Sequence, residues 1–257
     1  KGTKKSKKDN IIKKATTELL YSVASGYIGI RYSLPFLNTD AIFFKDTPMY
    51  GVFIETRGGT LNGLRFYYDQ TPKRTKMSAS STQEQIKYYS SRLSLGWAFQ
   101  KEVDLKFIDN INITPKFGSW VFIAALPLNE KGALENSPNS DIYYLEIPKA
   151  YTFGLEIGVE KFWKNALLRA WFNSDITASN ITKGSKVSSY RSGADIHIGG
   201  PSIIANLNLS FLIFYFTELL NLDAQKENNT DINNNKYYIN NLIISNGFIG
   251  TGMSIAW

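Results

Sequence analysis

The stretch YTFGLEIGVEKFW, residues 151 to 163, splits into two sets at every second position. Tyr151, Phe153, Leu155, Ile157 and Val159 fall on one side of an extended chain, against Thr152, Gly154, Glu156, Gly158 and Glu160 on the other. Successive side chains of a strand point to opposite faces, whereas a helix would mix the two sets. The same period returns along the chain. Ile28, Ile30, Tyr32 and Leu34 oppose Gly29 and Arg31, while Tyr50, Val52 and Ile54 oppose Gly51, Glu55 and Arg57, with Phe53 joining the polar side. Leu64, Phe66 and Tyr68 oppose Arg65, Tyr67 and Asp69. Leu93, Leu95, Trp97 and Phe99 oppose Arg92, Ser94 and Gly96. Val103, Leu105, Phe107 and Ile111 oppose Asp104 and Lys106. Further on, Leu168 and Phe172 oppose Arg169, Ile196 and Ile198 oppose Asp195 and His197, and Leu209 and Phe211 oppose Asn208 and Ser210. The repeated unit is a strand with one apolar face.

The connectors carry a second regularity. Short turns are expected at 57–60, near Gln100 and Lys101, at 163–165 and at the GGP of 199–201; long polar loops are expected at 35–47, 70–84, 127–149, 178–187 and 221–236. Long and short connections alternate if 102–126 is one strand running through Pro115, which lacks an N–H for a ladder and favours an edge or bulge. Residues 141–147 are a candidate extra edge strand. The expectation is an all-β, up-and-down antiparallel barrel of about ten strands, within a range of eight to twelve, over residues 20–257, preceded by a basic arm at 1–19.

Composition narrows the chemistry. The chain has no cysteine and one histidine, which excludes disulfides, thiolate chemistry and a histidine-rich metal site, and no cofactor or metal is expected. Residues 1–14 hold seven lysines and one aspartate, so six of the net +7 charges sit in that arm and about one in the rest. Nucleic acid is not an expected partner, because no basic and aromatic platform continues beyond the arm. The arm lacks the apolar core of a signal peptide and is expected to be a mature or trimmed terminus that contacts solvent, anionic lipid or an envelope protein. The most apolar run, 207–222, is broken by Asn208, Ser210, Thr217, Glu218 and Asn221, so no membrane-crossing helix is evident; β-spans need only about 9–11 residues each.

The polar faces are unusual for a soluble sandwich, whose outer surfaces carry solvated lysine, serine and threonine. Here they combine glycine with Glu55, Arg57, Arg65, Arg92, Asp104, Glu156, Glu160, Arg169, Asp195 and His197. Small residues beside long ion-pairing ones suit a crowded polar interior, lined either as a sealing network or as a narrow pore, with the apolar set facing lipid. Trp97, Phe99, Tyr151, Trp163 and Trp257 fall near expected strand ends, where an aromatic ring can sit between lipid and headgroup.

This pattern resembles the outer-membrane β-barrel class of Gram-negative bacteria. The resemblance rests on the alternating strands, short turns at one rim and long loops at the other, and a closing IGTGMSIAW in which Ile249, Met253, Ile255 and Trp257 match a terminal strand ending in an aromatic residue, with Thr251 a weak position. It implies residence in an outer membrane, contact with outer-membrane lipid, recognition of the last strand by the barrel-assembly machinery, and an envelope protein partner met through the arm or the long loops. It names an architecture and no activity.

Asp195 and His197 also resemble the Asp-x-His element of ten-stranded outer-membrane proteases. Those enzymes need a second acidic pair at the extracellular rim, whereas His197 is expected beside the short GGP turn and the sequence contains no DxD pair. Outer-membrane phospholipases place histidine and serine on the exterior; here their His-x-Ser is replaced by His-x-Gly, and Ser202 is expected beyond the turn. His197 is instead expected inside, hydrogen-bonded to Asp195 or a neighbour, with Glu156, Glu160 and Arg169 forming a similar network across the 163–165 hairpin. The expected role is structural, docking or adhesive; the alternatives are a narrow small-solute channel, a soluble antiparallel β binding domain and a barrel lipid hydrolase.

Overall fold

A computed structural model describes residues 25–38, 48–58, 63–72, 88–128, 141–177, 186–204, 207–225 and 238–257. It contains ten strands: β1 (Ser25–Asn38), β2 (Met49–Arg57), β3 (Gly63–Gln70), β4 (Tyr88–Leu105), β5 (Ile108–Leu128), β6 (Asp141–Trp163), β7 (Ala166–Thr177), β8 (Lys186–Ile204), β9 (Leu207–Gln225) and β10 (Tyr238–Ala256). Each pairs antiparallel with its sequence neighbours, and β1 pairs with β10, so the sheet closes into an up-and-down barrel with no free edge. The expected arm at 1–19 lies outside the described residues, as do residues 20–24.

Closure fixes the tilt. Following partners from Tyr27 through Glu55, Arg65, Gly96, Lys116, Gly154, Asp175, Ser189 and Leu220 arrives at Ile244. The direct partner of Tyr27 on β10 is Ala256, twelve positions further along that strand. A stagger of that size over ten strands tilts them by about 40° and sets the backbone about 10 Å from the axis. The bore is therefore narrow enough for long side chains from opposite walls to meet.

The alternation of long and short connections holds, but several boundaries differ from expectation. Strand β4 continues past Gln100 and Lys101 to Leu105, and its hairpin turns at Lys106 and Phe107. Trp97 and Phe99 consequently lie inside a strand and not at its end. The GGP of 199–201 lies within β8, accommodated by ladder irregularities between Gly199 and Ser202 and between Ser202 and Ile204. Its glycines look like a turn in sequence, yet they absorb a bulge. The expected loop at 127–149 is shorter, because β6 begins at Asp141 and takes in 141–147 across a bulge opposite Trp120 and Phe122, so Tyr151 also lies mid-strand. Strands β1 and β9 run on to Asn38 and Gln225. Strand β5 does pass unbroken through Pro115, which pairs with Leu155; on the β4 side the ladder skips Trp97 and Ala98, opposite the proline that has no N–H to donate.

The apolar residues face outward. Ile28, Ile30, Leu34, Tyr50, Phe117, Phe153, Ile157, Phe172, Ile213, Ile249, Met253 and Ile255 are all exposed on the outer wall. On β9 the outward series runs from Leu209 through Phe211, Ile213, Tyr215 and Thr217 to Leu219. That length is about 33 Å along the strand and about 25 Å along the barrel axis after tilt, the height of a lipid-facing band.

Candidate functional site

The interior is built from the other parity. Glu55, Arg57, Arg65, Arg92, Glu160, Arg169, Asp195 and His197 are buried, and Glu156 faces the same bore. Asp104 lies at an irregularity of the β4–β5 ladder, and its side chain is outside the described residues. Arg31, Tyr67, Asp69, Lys116, Trp171, Asp175, Arg191 and Glu218 also line the interior. Their signal was present in the sequence, since each keeps the parity of a recognised polar position on its own strand.

These groups form two tiers. Near the short-turn rim, Glu55 is the hub. It accepts from Tyr67 Oη at 2.6 Å, from Arg57 Nη2 at 3.2 Å and from Arg169 Nη1 at 3.1 Å. Arg57 also donates to both oxygens of Glu160 at 3.0 Å. Arg169 grips Asp195 from Nε and Nη2, each at 2.9 Å from Oδ2, and Trp171 Nε1 donates to the same oxygen at 2.9 Å. Arg65 donates to the Thr56 carbonyl at 2.8 Å. Nearer the long-loop side, Arg31 holds Asp69 through two bonds of 2.9 and 2.6 Å. Arg191 donates to Glu218 at 2.8 Å, and Arg92 reaches Ser189 at 3.1 Å and Asp175 at 3.4 Å while its centre lies 4.0 Å over the Trp120 ring. Lys116 and Glu156 pair at 3.1 Å between the tiers.

Three ion pairs join strands diametrically opposite in the ten-membered ring. Arg169 on β7 meets Glu55 on β2 at 3.0 Å, Arg92 on β4 meets Glu218 on β9 at 3.1 Å, and Arg191 on β8 meets Asp69 on β3 at 3.6 Å. The bore is thus bridged from wall to wall in both tiers. Among the described lumen side chains, Arg31, Arg57, Arg65, Arg92, Lys116, Arg169 and Arg191 are matched by Glu55, Asp69, Glu156, Glu160, Asp175, Asp195 and Glu218, seven charges of each sign. Pairing is required here because an isolated buried charge costs several kcal/mol, on the order of the stability of a whole domain.

An apolar wedge fills what the ions leave. Met49, Phe53, Leu212, Phe214, Phe216 and Phe248 are buried inside the barrel, and the Phe216 ring stacks on Phe248 at 4.8 Å. Between the wedge and the ions remains a cavity of about 50 Å³. At about 10–15 Å³ per water centre it has room for a few waters. A vestibule of about 360 Å³ opens at the short-turn mouth, among Ser25, Tyr27, Arg57, Gln100, Glu102, Phe162 and Trp257.

Glycine makes the tight packing feasible. A Cβ at Gly51 would fall 2.4 Å from Asp69 Oδ1 and 3.0 Å from Arg31 Cγ, so the Arg31–Asp69 pair lies in space that only glycine leaves open. At the exterior seam, Trp257 and Gly26 exchange backbone hydrogen bonds of 3.0 and 3.1 Å, and the indole covers Gly26, where a Cβ would fall 2.7 Å from its Cζ2.

Two expected contacts are replaced by others. Glu160 and Arg169 are register partners across the 163–165 hairpin, yet each bonds across the bore, Glu160 to Arg57 and Arg169 to Glu55, while Arg169 also bonds its register partner Asp195 on the adjacent β8 and Glu156 goes to Lys116. His197 does not receive the hydrogen bond expected of it. Its Nε2 lies 3.5 Å from Asp195 Oδ1 and neither ring nitrogen has a hydrogen-bond partner, because Asp195 is already engaged by Arg169 and Trp171. The ring rests between Tyr27 and Phe53, at centroid distances of 4.9 and 6.1 Å. Ser202, expected beyond a turn, belongs to the same strand and is exposed.

Phe99, Tyr151, Trp163, Ile249, Met253 and Ile255 are exposed on the outer surface, while Trp97 and Trp257 are half-buried there. Among the described residues no group of acidic and histidine side chains is placed to hold a metal ion.

The sequence matches no protein-family model and no curated protein. Among solved structures the chain is similar to the outer membrane protease OmpT from Escherichia coli, at 9% identity and a TM-score of 0.35, over 90% of this chain and 93% of that one. A likeness so distant bears on neither activity nor site, and the barrel stands on its own strand pairing.

Proposed function

We propose that the chain is an outer-membrane barrel of structural, docking or adhesive role, with a lumen that works as a packed polar core and conducts nothing. The apolar outer band and the ion-paired interior support membrane residence, since a closed sheet satisfies every spanning amide and needs lipid on its apolar face. The observation that carries the non-conducting reading is the Glu55–Arg169 bridge between opposite strands, repeated one tier above by Arg92 and Glu218. A solute would have to break both bridges and leave buried charges unpaired. The histidine supports no hydrolytic reading, since it hydrogen-bonds to no serine or threonine hydroxyl.

The test is reconstitution of the folded, heat-modifiable protein into planar bilayers. Featureless current is expected. Discrete steps that respond to charge changes at Arg65, Arg92 or Glu156 would establish the small-solute channel instead, and a protein that stays monodisperse without detergent would overturn the membrane reading altogether.

A further inference from the structure

The ion pairs of the bore cancel one another, but the lumen-facing series of β4 runs past them to the short-turn mouth. Gln100 and Glu102 keep the parity of Arg92, and both line the vestibule of about 360 Å³. Among the described residues neither the Gln100 amide nor the Glu102 carboxylate is hydrogen-bonded or ion-paired. Glu102 is exposed at the mouth, a negative charge that the fold leaves unmatched.

The vestibule is blind. Arg57 stands at its inner end, with its guanidinium bonded to both oxygens of Glu160 at 3.0 Å and to Glu55 at 3.2 Å, and its centre lies 5.6 Å from the centroid of the Tyr27 ring. The charge of Arg57 is therefore already matched from inside the barrel. Nearer the mouth the walls are aromatic. Phe162, of the same parity as Glu160, is 52% exposed, and Trp257 is half-buried with its indole over Gly26.

Each class of ligand meets this set differently. A metal ion needs several oxygen ligands and finds one carboxylate. An anion meets Glu102 and a guanidinium whose charge is taken. A neutral polyol can bond Gln100 but leaves Glu102 unmatched. An organic ammonium answers both features, since the carboxylate balances its charge while the negative faces of Phe162 and Trp257 attract its alkylated, positively charged end. The volume falls within the range of small-molecule sites, about 300–1,000 Å³.

We propose that the short-turn vestibule is a binding site for a small organic ammonium cation, with Glu102 as its counter-ion and Phe162 and Trp257 as its ring surfaces. The site does not depend on the membrane reading, because each of these groups lies on or beside the closed ladder.

The probe is choline, titrated calorimetrically into the full-length folded protein in a maltoside detergent. Its uncharged isostere, in which a tert-butyl group replaces the trimethylammonium, serves as the control. Choline is expected to bind more tightly than the isostere, and added salt to weaken choline alone. Glu102→Gln weakens choline about fivefold, the upper end for an exposed ion pair, and leaves the isostere unchanged. Phe162→Leu, which keeps an apolar side chain and removes the ring, weakens choline about threefold. Both side chains are exposed, so heat-modifiable migration of the variants stays that of the parent. Equal binding of choline and isostere overturns the inference, as does choline binding that Glu102→Gln leaves unchanged or no choline binding by the folded protein. None of these results touches the non-conducting reading, and discrete conductance in planar bilayers would refute that reading without removing the site.

Discussion

Replacing Arg169 by methionine tests whether the lumen is a balanced ionic core. The substitution keeps side-chain length and removes one cation from between two carboxylates. Glu55 retains the Tyr67 hydroxyl at 2.6 Å and Arg57 at 3.2 Å. Asp195 is left with the Trp171 indole at 2.9 Å and His197 at 3.5 Å, beyond hydrogen-bonding geometry, while only 4% exposed. The penalty therefore falls on Asp195. Removing one partner of a buried pair costs about 3–5 kcal/mol, whereas neutralising both partners is often near neutral. Arg169→Met alone should lose stability in that range, and adding Asp195→Asn should recover most of it, because the indole still has an oxygen to bond and the charges return to balance. The assay is urea unfolding from phospholipid vesicles followed by tryptophan fluorescence, with Trp171 beside the altered group. A single variant within about 1 kcal/mol of the parent, or a double variant less stable than the single, would refute the claim that pairing governs this core.

Three further outcomes follow from the same geometry. Arg169→Ala should remain electrically silent in planar bilayers because the upper bridges persist, whereas combining it with Arg92→Ala and Arg191→Ala should give discrete conductance; silence of the triple variant would show that the ions are not what closes the bore. Gly51→Val should displace the Arg31–Asp69 pair and lower the temperature of the heat-modifiable transition, while Gly158→Ala, whose Cβ would meet nothing nearer than 3.6 Å, should not. Phe216→Ala should destabilise by about 3–5 kcal/mol in the urea assay, since its ring stacks on Phe248 and Phe214 inside the barrel.

Much of the fold was legible because the side-chain period of a strand is two and one face of each strand had to be apolar. Parity along the strands carries Asp175 and Glu218 into the lumen with Arg169 and Ser210. Turn positions were less legible. The GGP of 199–201 has the composition of a turn and forms a bulge, while the β4–β5 hairpin turns at Lys106 and Phe107, which carry no turn signal at all. In such places pairing with the neighbouring strand outweighs local preference.

The sequence by itself determined that this chain makes strands with one apolar and one polar face, that the polar face holds glycine and paired charges, and that the excess positive charge lies in its first residues. Local periodicity is written residue by residue, so no distant contact is needed to read it. Whether the polar interior is a passage or a plug was decided only by the tertiary structure. The choice depends on which strands stand opposite one another, and that follows from the closure of β1 on β10 with a stagger of twelve residues. Glu55 and Arg169 are 114 positions apart in the chain and meet across the bore because four strands lie between theirs in either direction around the ring. No local pattern encodes that distance.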